Sequence, residues 1–156
     1  LLASLIRDDP YSLTIDLTMG KLIYKQQEFS MMPARLALYS FFAGQKKSCP
    51  HDSGRHRCRN CTDCYLDFSE ISAGQEEITA LYRQIARNRD VHDMSDSGIT
   101  GLTAENFNSY KGKIKKDLTG AFGLYIGQQI AIEGKGKKPD TRYGIAIDRQ
   151  RIRIVL

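Results

Sequence analysis

Four cysteines, all between positions 49 and 64, carry the most pointed chemistry in this 156-residue chain. Cys49, Cys58, Cys61 and Cys64 give the spacing C-x8-C-x2-C-x2-C, with His51 and His56 between the first two. A C-x2-C pair sets two thiolates on one tight turn where they share a single ion, and four sulfurs complete a tetrahedral zinc site. A short polar segment with no apolar core of its own gains from such a staple. Two C-x2-C steps overlap on Cys61, which crowds three ligands into one loop; iron–sulfur motifs begin in this way. Structural zinc is therefore the expected cofactor and an iron–sulfur cluster the alternative, beside four reduced thiols that hold nothing. His51 or His56 can replace one cysteine. Four thiolates leave zinc no open position, so Asp52 and Asp63 nearby do not make the centre catalytic. Clustered cysteines without secretory features speak for metal over disulfides and for a cytoplasmic protein.

The second concentration of chemistry is positive charge. Residues 111–142 hold eight basic and three acidic side chains, a net +5 that equals the charge of the whole chain. Asn106, Ser109, Lys113 and Lys116 fall outside the apolar stripe of one helix. Lys135, Lys137, Lys138 and Arg142 belong to a turn-rich segment that follows. Lysines on phosphates supply affinity without sequence information and lose it as salt rises, whereas asparagine and arginine can read base edges. A solvated lysine face is the ordinary alternative. The helix holds no arginine, which argues against bidentate recognition of guanine.

These side chains need elements to position them. Thr103 can cap a helix in which Phe107, Tyr110, Ile114 and Leu118 recur at steps of three or four. Gly112 lies inside it and costs about 1 kcal/mol against alanine, so it is expected to admit another backbone. After Gly120 the pattern changes. Residues 128–133 and 142–147 read as two strands around a Gly-Lys-rich loop, and residues 151–156 as a last strand. Upstream, residues 11–17, 22–24 and 26–29 read as a small antiparallel meander. Ser30 is expected to cap a helix with Pro33 in its first turn, lined by Leu36, Tyr39, Phe42 and Ala43 and ended by Gly44. Residues 75–87 read as helical, with Ile78, Leu81, Tyr82 and Ile85 on one face. Residues 88–101 read as a loop.

The predicted architecture is α+β: a winged helix-turn-helix domain over residues 11–156, with an N-terminal β-meander and a cysteine-bearing insertion at 45–101. Residues 1–10 read as a linker or the tail of a missing upstream domain. The segment LTIDLTMGKLIYKQQEFSMMPARLALYSFFA resembles the opening of OmpR-type winged-helix domains. ENFNSYKGKIKKDL resembles their recognition helix, and IEGKGKKPDTRYGIAI their wing. A closer likeness, carried by KKPDTRYGIAI and the interposed helix at 75–87, is to the C-terminal domain of the CRISPR-associated ring-nuclease family. That likeness implies an upstream cyclic-oligoadenylate-binding nuclease domain absent from this chain. Ring-nuclease catalytic residues are then not carried by these positions.

Other classes fare worse. No apolar run approaches the roughly 20 residues of a membrane span, and no P-loop, G-x-S-x-G or H-E-x-x-H occurs. His92-Asp93 has no nucleophile beside it. The expected function is non-catalytic: contact with nucleic acid through the basic helix and wing. The alternative is a dimerisation or regulatory scaffold for the upstream domain of the same protein, in which residues 1–6 and the aromatic-rich elements form the contact.

Overall fold

A computed structural model describes residues 13–49, 61–87 and 97–156, and its architecture is α+β. Strands β1 (Leu13–Asp16), β2 (Lys21–Tyr24) and β3 (Gln27–Ser30) pair antiparallel in sequence order. Their alternation buries Leu13, Ile15 and Leu22 against the core. Lys25 and Gln26 close the β2–β3 turn with φ of 47° and 74°, the mirror-image geometry that matches strand twist in two-residue hairpins. The meander read from sequence is therefore present. The last strand read from sequence is present as β6 (Ile152–Val155), but its partner was not legible: it lies parallel to β1, giving the order β3-β2-β1-β6.

Helix α1 (Pro33–Lys47) crosses the centre of the fold. Pro33 opens it as expected, but Met32 is the N-cap residue and makes no side-chain cap; Ser30 instead ends β3. The apolar positions are not one stripe. Leu36, Ala37, Leu38, Tyr39, Phe41, Phe42 and Ala43 are all buried, because sheet, helices and hairpin surround the helix. Nor does Gly44 terminate it. The helix runs one turn further to Lys47, and Ser48 then satisfies the Gly44 carbonyl with both its N–H and its hydroxyl.

Helices α2 (Phe68–Ala73) and α3 (Gln75–Ala86) follow the cysteine segment. Asp67 and Glu70 form a reciprocal capping box at the start of α2. Ile71, Ile78, Tyr82 and Ile85 enter the same core as α1. Residues 66–86 thus contribute to the main core. Next come a 3-10 turn at Ser97–Thr100, helix α4 (Ala104–Phe122) and helix α5 (Leu124–Ile130). Strands β4 (Ile132–Lys135) and β5 (Arg142–Ile145) form a separate antiparallel hairpin. Among the described residues no helix is long and apolar enough to cross a membrane.

Residues 128–130 depart from expectation, being the last turn of α5 instead of strand. A short alternating run satisfies either period, and tertiary packing decides. Gly123, with φ of 94°, turns the chain so that α5 folds back on α4. Gly127 then seats against the backbone of Thr119, where a Cβ would lie 2.6 Å from Thr119 Cα. Gly112, expected to admit another backbone, has nothing within 4 Å of its virtual Cβ.

The two glycines consequently make opposite predictions. Gly127→Ala should destabilise by about 1–3 kcal/mol, because backbone must move to accept the methyl. Gly112→Ala should stabilise by up to about 1 kcal/mol through helix propensity. Denaturant midpoints of the two variants check this, and equal shifts of one sign would contradict the α4–α5 packing.

Candidate nucleic-acid interface

Helix α4 starts as predicted. The Thr103 hydroxyl accepts the Asn106 N–H at 3.1 Å, and the Asn106 side-chain oxygen accepts the Thr103 N–H at 2.7 Å. Asn106 also donates its amide to the carbonyls of Gly98 and Gly101, at 3.3 Å each. Its carboxamide is thus consumed in holding the preceding turn and is not presented as a base reader. Phe107, Tyr110, Ile114 and Leu118 are buried in the predicted stripe.

The lysines of α4 divide between two flanks. Lys111 and Lys115, four residues apart, face the hairpin across a groove of about 360 Å³ shared with Asn108, Gln128 and residues 131–134. Lys113 and Lys116 line a different groove, with Phe29, Arg35 and Asp117 on the side of β3. Lys113 and Lys116, expected beside the hairpin lysines, lie on the other flank; Lys111 and Lys115 are the helix lysines that face the hairpin. The signal that could have found them is angular. On a helical wheel, positions 111 and 115 lie on one shoulder of the 107–118 stripe, and positions 113 and 116 lie on the other. Ser109 is exposed, and its wheel position falls between Lys116 and Lys113, away from the hairpin.

The hairpin is fastened to this helix by aromatic contact. The Tyr143 ring on β5 meets Phe107 edge-on at 5.0 Å between centroids, and Lys111 Nζ lies 5.2 Å from the Tyr143 centroid. Leu66 exchanges two backbone hydrogen bonds with Tyr143, at 2.9 and 2.8 Å, so a single residue acts as a third strand. At the root, Tyr39 of α1 donates its hydroxyl to the Ile130 carbonyl at 2.6 Å. Tyr65 donates to Glu133 Oε2, also at 2.6 Å. The Tyr65 ring packs where Gly144 has no side chain: a Cβ there would lie 2.2 Å from the ring.

Beyond the root the hairpin is open and basic. Residues 134–140 are exposed, and Lys135 stands directly across from Arg142 in the strand register. Like charges placed opposite one another weaken a hairpin. Glu133, 3.9 Å from Lys135, and Glu70, 3.3 Å from Arg142, offset part of this; both are pairs in water and worth little. Lys137 and Lys138 at the tip have no acidic partner among the described residues.

Cys49, Cys61 and Cys64 are half-buried, while Cys58, His51 and His56 lie outside the described residues. Among the described residues no three His, Cys, Asp or Glu side chains converge to hold an ion. Two cationic side chains do reach the backbone of this segment. Lys46, buried, donates to the Cys61 carbonyl at 3.4 Å, and Arg149 donates to the Cys49 carbonyl at 3.2 Å. The segment leads straight into Tyr65 and Leu66, the residues that grip the hairpin. No family model matches this chain, and neither does any curated protein or solved structure.

Burial pushes the Tyr39 phenol far above its ordinary value, with the Tyr24 charge adding to it. Burial, and then its hydrogen bond to the Glu133 carboxylate, do the same to Tyr65. Above about pH 10 the unfolded chain releases phenolic protons that the folded chain keeps. Stability from these groups is thus complete below that pH and falls as pH rises. Replacing Tyr39 with Phe should remove a slope of about 1.4 kcal/mol per pH unit from the alkaline limb of the stability curve. An unchanged limb, read by denaturant unfolding between pH 9 and 11.5, would contradict the buried Tyr39–Ile130 bond.

Proposed function

We propose that α4 and the β4–β5 hairpin form a winged-helix surface for nucleic acid. The order supports this reading. Helix α1, the one-residue strand at Leu66, helices α3 and α4, and then a hairpin whose second strand pairs with Leu66 follow the winged-helix sequence of elements. The single observation that carries it is the groove between α4 and β4, with Lys111 and Lys115 on its helical wall and exposed lysines on the hairpin beyond it.

In this reading Lys111, Lys115, Lys137 and Lys138 lie on phosphates, and Asn108 is the side chain offered to base edges. Affinity is then mainly electrostatic, with little discrimination among sequences. A polyanion also relieves the facing Lys135 and Arg142, which explains why a like-charge pair is kept there. Helix α5 packs against α4 at Thr119, so contact on this flank belongs to the part of α4 before Thr119 and to the hairpin. The role we assign is that of a non-catalytic accessory domain, in keeping with the resemblance to the C-terminal domain of CRISPR-associated ring nucleases. The cysteine segment is read as a zinc staple built on Cys49, Cys58, Cys61 and Cys64. Its support is the donor set and the two cations, Lys46 and Arg149, bonded to the segment's carbonyls, a setting that suits an anionic tetrathiolate. Purified reduced protein should contain about one equivalent of zinc; a content near zero, with no iron either, would refute the staple.

A second reading rests on Leu124 and Tyr125, which are 64% and 71% exposed at the α4–α5 corner. Neighbouring large apolar side chains left in water favour a subunit or domain contact, as a scaffold requires. Fluorescence anisotropy with a random-sequence duplex over a salt series separates the two. Binding should be micromolar at low salt and fall steeply with added salt. K111Q/K115Q and K137Q/K138Q should each reduce the log–log salt slope by about 1.8. Absence of binding at low salt would overturn the nucleic-acid reading and leave the scaffold.

A further inference from the structure

The groove on the other flank of α4 has its own chemistry. It holds about 700 Å³ between β3, the first turn of α1 and the C-terminal half of α4, and Phe29, Arg35, Lys113, Lys116 and Asp117 line it. Arg35 and Asp117 are mostly buried and form the ion pair at its base, at 3.0 and 3.2 Å. Both bonds come from one guanidinium nitrogen, Nη1, while Nε is buried without a hydrogen-bond partner. A desolvated donor with no acceptor is costly to keep. The three cations against one carboxylate give the groove a net charge of +2. Lys113 lies with its ammonium 5.8 Å from the Tyr110 ring, and Lys116 is exposed one turn on.

Positive charge alone would suit any anion. Phe29 adds an aromatic ring, half-buried and on the groove wall, which is a platform on which a base can stack. Each Asp117 oxygen accepts one bond from Arg35 and retains a lone pair for a ribose hydroxyl or an exocyclic amine. We propose that this groove binds a nucleoside phosphate, with the base on Phe29 and the phosphates on Lys113 and Lys116. The site is separate from the hairpin groove and does not depend on it. Free nucleotide and a nucleotide within a single strand share this chemistry.

Titration of the whole chain with adenosine diphosphate, a short single-stranded oligonucleotide and inorganic pyrophosphate, followed by calorimetry, tests the assignment. Adenosine diphosphate should bind in the micromolar to low-millimolar range. K113Q/K116Q should weaken it at least tenfold, Phe29→Leu about five- to tenfold, and K111Q/K115Q less than twofold. Binding of the oligonucleotide but not of the free nucleotide, with that same pattern of variants, supports the site and makes a strand its source. Pyrophosphate binding as tightly as the nucleotide, with Phe29→Leu silent, overturns the proposal, since only an anion is then recognised. Loss on K111Q/K115Q instead of K113Q/K116Q overturns it too, while leaving the hairpin reading intact. Native-like thermal unfolding of each variant guards against a folding defect being read as lost binding.

Discussion

A helix buried around most of its circumference dictates the layout of this protein. Helix α1 presents apolar side chains in nearly every direction, from Leu36 and Leu38 to Tyr39, Phe41 and Phe42. Each of those directions must be covered, and the sheet, α3, α4 and the hairpin do so. Burying each such side chain contributes on the order of 1.5–3 kcal/mol, so no covering element can be lost cheaply. Apart from Lys46 in the last turn of α1, the charged side chains stay out of this centre. They gather on the outer shoulders of α4 and on the part of the hairpin that projects past the core.

The hairpin root is where core and surface meet. Tyr39 reaches it from α1 and Tyr65 from the cysteine segment, and Phe107 reaches it from α4 through Tyr143. Three parts of the chain distant in sequence thus fix one basic projection. Two of those contacts are phenol hydrogen bonds of 2.6 Å inside the protein, where an unmade bond is costly. The arrangement makes the orientation of the hairpin lysines toward α4 a property of the core. It also ties that orientation to whatever orders the residues just before Tyr65.

Much of this was legible. The meander, the Pro33 helix, the Thr103 cap and the Phe107–Leu118 stripe follow from period and capping chemistry, which are local. What failed was decided at a distance. Residues 128–130 join a helix because Gly127 fits against Thr119, and no local rule reports that fit. Gly44 does not end α1, because tertiary burial of Lys46 and its bond to the Cys61 carbonyl reward another turn. The parallel pairing of β6 with β1 joins two ends of the chain and leaves no local signature. In the candidate site, charge density picked out a helix and a hairpin that share one groove. It did not assign lysines to shoulders, and it could not show that the Asn106 amide was already spent on the Gly98 and Gly101 carbonyls.

In the proposed function, one shoulder of α4 and the hairpin act together as a single anionic-ligand surface. Amide chemical-shift mapping of the isotopically labelled chain with a short DNA duplex tests it most directly. Perturbations should concentrate at residues 108–115 and 134–142 and weaken together as salt is raised. Perturbations confined to Leu124, Tyr125 and the sheet, with the hairpin silent, would contradict it.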